Sequence, residues 1–234
     1  FERVRVRLSL QDLGNQTKKS DNMRRHIFKY GHERIDVESK CAEFLAENVE
    51  IYPAGYMCID LIKFMNLKDD IAKHVLSRAV MVIGSSRYPV PRTKLNRVHQ
   101  ALIANFLTCK MTIGGCLLQK SEEKIHIFRE ERNLPNALCV NDSEVIYWDH
   151  RFVMQIGKLS NHSSQNEKIQ PLGRHGWQKL VKLQPGLRNH HLPLLARYTL
   201  PALLQNGKII SVSHLTTYYP TDHPRSVGFE NAVF

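Results

Sequence analysis

Near residue 108 the hydrophobic pattern of the chain changes its period, and that change limits what the chain can fold into. Upstream, apolar residues recur at helical spacing; downstream they alternate in pairs of short runs. Residues 16–47 hold no proline and a single glycine, Gly31, with apolar residues at Ile27, Phe28, Ile35, Val37, Cys41, Phe44 and Leu45. This spacing predicts one long helix with an apolar side turned inward and Arg24, Arg25, Lys29 and Arg34 on an outer face. VEIYPAGYMCID (49–60) follows as two β-type runs around Pro53-Ala54-Gly55, a hairpin. Asp69 and Asp70 open a second helix, closed by Gly84. After the two prolines of SSRYPVP, a third helix repeats the spacing at Leu95, Val98, Leu102 and Ile103, with Pro91 near its first turn.

Beyond residue 108, CKMTIGGCLLQKSEEKIHIFREE alternates apolar residues on both sides of SEEK, as a hairpin does. EVIYWDHRFVMQI supplies a further pair of strands around Trp148-Asp149, and GKLSNHSSQNEK (157–168) reads as a loop. GWQKLVKL and HLPLLARYTLPALL read as helical pieces kept short by Pro193 and Pro201. NGKIISVSHL gives a turn and a last strand, and residues 218–234 an irregular tail. Trp148 and Trp177 are expected as core anchors. The fold class is therefore α+β: a helical module over 15–108, then a smaller β-rich module over 109–219, with 1–14 ahead of them and 220–234 behind.

Charge narrows the function. The 234 residues carry 33 Lys+Arg against 22 Asp+Glu, a formal net charge of +11. Such a balance favours a polyanionic partner, because each phosphate neutralised releases condensed counterions. Lys18-Lys19, Arg24, Arg25, Lys29 and Arg34 form one basic cluster, and Arg87, Arg92, Lys94 and Arg97 form a second at a turn leading into a helix. Each cluster reads either as a solvated helix face or as a surface for nucleic-acid phosphates. The five cysteines show no C-x-x-C spacing and read as reduced thiols packed as small hydrophobes. No apolar run approaches the ~20 residues of a membrane span, so a soluble, cytoplasmic protein is expected.

Catalytic motifs are missing. Gly114-Gly115 lacks the flanking pattern of a phosphate loop and reads as a turn. The histidines, His190-His191 included, have no companion carboxylates or cysteines at ligand spacing, so no metal is expected. No G-x-S-x-G or comparable nucleophile motif occurs.

Several stretches together resemble the tRNA(Ile)-lysidine synthetase family, downstream of its ATP-binding domain. FERVRVR is similar to the family's R-N-x-I-R element, with Arg3 on the first arginine and Arg7 on the last, although Val4 stands at the asparagine position. YPVPRTKLNRV resembles the linker into a late helix. MTIGGCLLQKSEEKIHIFRE resembles the T-L-G-G-C hairpin that ends in R-E, here Thr112, Gly114, Gly115, Cys116, Arg129 and Glu130. WDHRF is similar to the W-D-x-R-F strand of one branch, and LPALLQNGKIISVSHL to the closing L-P-A-L…G…V-x-H-L. The matches run in the family's order over nearly the whole chain.

The resemblance implies an ATP-dependent ligase that adenylates the wobble cytidine of isoleucine tRNA with a CAU anticodon. Lysine then displaces AMP to give lysidine. Adenylation requires an S-G-G-x-D-S loop and a metal-binding aspartate, and this sequence contains no S-G-G-x-D-S. ATP and Mg2+ would be bound mainly outside this chain, with none expected within it. Residues 1–14 would be the trailing element of the catalytic domain, with Arg3 and Arg7 facing the nucleotide as catalytic residues. Arg24, Arg25, Lys29, Arg34, Arg87, Arg92, Lys94, Arg97 and Arg129 would contact tRNA. The chain would bind tRNA and be inactive alone. The alternative is a free-standing RNA- or DNA-binding module with no enzymatic activity.

Overall fold

The computed structural model describes residues 5, 17–104, 110–140, 145–155 and 167–215. The chain divides into two compact units, residues 1–47 and 48–234.

Helix α1 (Thr17–Asn48) forms the described part of the first unit and runs without a break, as its freedom from proline predicts. Its apolar side is covered only near the C-terminal end. Cys41 and Phe44 are buried, whereas Ile27, Phe28 and Ile35 are 60%, 67% and 64% exposed. The expectation that all of these turn inward is corrected: helical spacing aligns a face but does not provide anything to cover it.

The second unit is built on a five-stranded antiparallel sheet. Its strands are β1 (Val49–Tyr52), β2 (Tyr56–Asp60), β3 (Met111–Ile113), β4 (Cys116–Lys120) and β5 (Lys124–Arg129), in spatial order β1-β2-β5-β4-β3. Alternation lets both of its faces be buried. Met57 and Ile59 sit opposite Ile127 and Ile125, and Leu118 pairs with Ile127, making one apolar face. Against it pack α3 (Asp69–Gly84) and α4 (Arg92–Ile103), which follow the short helix α2 (Leu61–Met65). Tyr56, Cys58 and Phe128 point to the other side, into a core shared with Trp148, Phe152, Ile169, Trp177 and Leu203. Both tryptophans are core anchors, as expected. The sheet thus takes strands from both sides of the expected division at residue 108.

A second sheet, in order β11-β10-β9-β6, comprises β6 (Leu138–Cys139), β9 (Glu167–Pro171), β10 (Pro201–Gln205) and β11 (Lys208–Val212). Between these strands lie the hairpin β7 (Val145–Trp148)–β8 (Phe152–Gln155) and the helices α5 (Gly173–Leu183) and α6 (Leu194–Tyr198). Two expectations change here. Glu167 and Lys168 belong to β9, not to a loop, and PALL at 201–204 is strand, not helix. β10 is hydrogen-bonded on both sides, by β9 and β11, and that pairing overrides the local helical preference. The expected tail and most of the expected loop lie outside the described residues.

One helix ending is also corrected. Gly84 is the last residue of α3, and it is Ser85, at φ 55° and ψ 34°, that takes the left-handed position. Gly84 is needed for close approach: a Cβ there would lie 2.1 Å from the carbonyl oxygen of Gly114.

Candidate nucleic-acid interface

The basic residues singled out in the sequence fall into three environments. On α1, Arg24, Arg25, Lys29 and Arg34 are all exposed. At about 100° per residue, Arg25 and Lys29 lie close together around the helix while Arg34 points well away from them. Lys29 and Arg34 stand 3.9 and 3.7 Å from Glu33 and Glu38, exposed pairs that contribute little in water. Arg25 donates to the Asn22 side chain.

In the second unit, Arg87, Arg92, Lys94 and Arg97 are exposed along the turn before α4 and on its first turns. Arg92 donates to Asp70 at 3.0 Å. Among the described residues no ion pair involves Arg87, Lys94 or Arg97, so their charge is available to an anion. The turn itself is braced: Ser86 Oγ donates to the Tyr88 carbonyl at 2.8 Å, and Tyr88 is 79% exposed. Lys94 and Arg97, one helical turn apart, line a cavity of about 380 Å3 with the β3–β4 hairpin.

Arg129, also expected as a tRNA contact, belongs to neither group. It is buried, and its donors are committed: Nε and Nη2 to the two carboxylate oxygens of Asp149 at 2.9 Å, Nη1 to the Gly115 carbonyl at 2.9 Å, Nη2 also to the Asn133 carbonyl at 2.6 Å. Asp149 holds a second guanidinium, that of Arg151, whose other nitrogens reach the carbonyls of Gly55 and Thr199. Residues of the R-E, G-G-C and W-D-x-R-F stretches therefore meet in one buried network joining three hairpins. Arg3 and Arg7 lie outside the described residues.

A basic surface that the sequence did not announce lies on the second sheet. Lys179 and His175 of α5 and Lys208 of β11 border a cavity of about 630 Å3 floored by Leu172, Leu180 and Leu204. Lys208 is far in sequence from His175 and Lys179, and only the packing of α5 on β9–β11 brings it beside them. Among the described residues no group of three His, Cys, Asp or Glu side chains could hold a metal ion. Gly114-Gly115 forms a tight turn with both φ positive, packed against side chains, and is no phosphate loop. No helix among the described residues is long and apolar enough to cross a membrane.

Comparison with known proteins gives similarity over most of the chain. No family model matches the chain. Curated relatives do. The tRNA(Ile)-lysidine synthase of Wolbachia sp. subsp. Brugia malayi is 28% identical over 168 residues, covering 71% of this chain and 37% of that protein. That of Rickettsia africae is 28% identical over 188 residues, 76% of this chain and 37% of that protein.

The chain is similar to tRNA(Ile)-lysidine synthases. The resemblance carried by the ordered sequence motifs thus has independent support. The synthase of Rickettsia rickettsii (strain Sheila Smith) extends the match to 202 residues, 82% of this chain and 40% of that protein. The chain spans about two fifths of the length of the synthases it matches.

Proposed function

We propose that this chain is the tRNA-binding portion of a tRNA(Ile)-lysidine synthase, and that adenylation and lysine transfer take place on a part of the enzyme outside it. The observation that carries the reading is the cluster Arg87, Lys94 and Arg97, exposed and without ion pairs among the described residues. Unpaired cations on a rigid helix and a braced turn meet the basic requirement of phosphate binding, a charge presented without a desolvation or ordering cost. Isoleucine tRNA with a CAU anticodon is the expected partner, recognised here through A-form shape, phosphates and 2′-hydroxyls. ATP, Mg2+ and lysine would be handled elsewhere in the enzyme. Arg3 and Arg7 keep in this reading the role the resemblance implies, guanidiniums on the α-phosphate or adenylate. A cytoplasmic setting follows from the substrate.

The test is a titration of fluorescently labelled isoleucine tRNA with the chain across a salt series, paired with an assay for lysidine in the presence of ATP, Mg2+ and lysine. The expected result is tRNA binding that weakens steeply with salt, and no lysidine. Lysidine formation by the chain alone would refute the division of labour. Equal affinity for duplex DNA would favour a free-standing nucleic-acid-binding module.

A further inference from the structure

The cavity between α4 and the β3–β4 hairpin combines three kinds of chemistry in one place. Lys94 and Arg97 give it a cationic side, buried Val98 and Ile113 an apolar wall, and Glu130 a carboxylate. Its volume of about 380 Å3 falls in the usual range for a small-molecule site, roughly 300–1,000 Å3.

The walls are held in place by the fold. Gly114 packs so closely on Val80 and Val90 that a Cβ would lie 2.6–2.7 Å from their methyl groups. Arg129 Nη1 grips the Gly115 carbonyl at 2.9 Å, and the Glu130 N–H donates to the same oxygen at 2.8 Å. A ligand entering here has little to order, which favours binding. Glu130 accepts from Arg132 through Oε1 and from Asn133 Nδ2 through Oε2 at 2.8 Å. Each carboxylate oxygen offers two lone pairs, so acceptor capacity remains.

We propose that this cavity takes one unstacked nucleotide of an RNA. Its phosphate rests on Lys94 and Arg97, its base lies against Val98 and Ile113, and its exocyclic amino group donates to Glu130. This deepens the tRNA-binding reading and rests on it. A cationic rim selects phosphate, and an apolar wall suits the face of a base. A carboxylate only accepts hydrogen bonds, so it favours the amino group of cytosine, adenine or guanine and disfavours the O4 acceptor of uracil. Bases in an A-form duplex are out of reach of such a site, whereas bases splayed from loops and ends are not. Tyr88, on the same braced turn as Val90, adds an exposed ring on which a neighbouring base can stack.

The test uses the whole chain. NMR titrations with CMP and with UMP are followed at the amides of Thr112, Ile113 and Gly114, beside the tRNA titration already described. CMP is expected to shift these signals and to bind at least about fivefold more tightly than UMP, the low end of one base-edge pair. Met111→Trp, which fills the cavity from the half-buried strand position on the same face as Ile113, is expected to abolish the CMP shifts. It is also expected to weaken tRNA binding severalfold and to lower the salt slope, since the expelled nucleotide takes its phosphate off Lys94 and Arg97. Glu130→Gln, which keeps the cavity open, is expected to erase the preference for CMP. No shift at the hairpin, equal affinity for CMP and UMP, or an unaltered CMP response in Met111→Trp overturns the proposal even if tRNA binds. Absence of salt-dependent tRNA binding by the wild-type chain, with CMP still seated at the hairpin, overturns the tRNA reading instead.

Discussion

Arg151 is wholly buried, and its Nε donates to Oδ2 of Asp149 at 2.7 Å. The same carboxylate receives two hydrogen bonds from Arg129, so one buried anion serves two buried cations. Burial pushes the Arg151 guanidinium below its ordinary pKa, and Asp149 opposes that shift. Four further guanidinium N–H groups donate to the carbonyls of Gly55, Gly115, Asn133 and Thr199. Asp149→Ala is expected to cost about 3–5 kcal/mol, because it leaves charges buried without their partner. Urea unfolding of the variant beside the wild type measures this; an unchanged midpoint would contradict the role given to Asp149.

Gly84→Ala is expected to destabilise the second unit by about 1–3 kcal/mol or more. The added methyl would meet a carbonyl oxygen 2.1 Å away, backbone against backbone, with no flexible side chain able to yield. In a thermal melt the variant should unfold earlier. A variant as stable as wild type would mean that α3 and the β3–β4 hairpin can separate at little cost.

Surface and buried arginines should part company when substituted. Arg97→Ala is expected to leave the urea midpoint in place while lowering tRNA affinity and reducing the salt slope by about one, the signature of a lost phosphate contact. Arg129→Ala is expected to lower the urea midpoint, with the salt slope of the folded protein unchanged. Were Arg129→Ala to reduce the slope at full stability, its assignment to the core would be wrong.

The stability of the second unit should fall as the solution is acidified through the histidine range. His99, His126 and His214 all have pKa values lowered, in each case chiefly by burial; Lys124 adds to the shift of His126, while Asp69 and Lys73 act in opposite senses on His99. Because the folded values lie below those of the unfolded chain, the unfolded state binds more protons in the window between them. Stability is thus full above the ordinary histidine pKa of about 6.5 and declines as pH drops below it. His126 sits 3.1 Å from Cys58 Sγ and 3.3 Å from Ser121 Oγ, contacts a glutamine can partly replace. His126→Gln should therefore flatten the decline of the urea midpoint between pH 7.5 and 5.5. An equally steep decline in the variant would remove His126 from the cause.

Local chemistry carried much of this architecture. The proline-free run of 16–47 determined α1, Pro53-Ala54-Gly55 and Gly114-Gly115 determined turns, and Trp148-Asp149 marked a hairpin, because each depends on residues close in sequence. The basic clusters and the ordered family motifs were legible for the same reason. Tertiary structure decided the rest. It made a strand of PALL by pairing it on both sides, and left Ile27, Phe28 and Ile35 of α1 exposed. It turned Arg129 from a surface cation into a buried one, since only the fold brings Asp149 within 2.9 Å across 20 residues. It also set Lys94 and Arg97 beside Glu130 around one cavity. Residue type and spacing determine which groups a segment offers, whereas burial and pairing depend on what the rest of the chain brings to it.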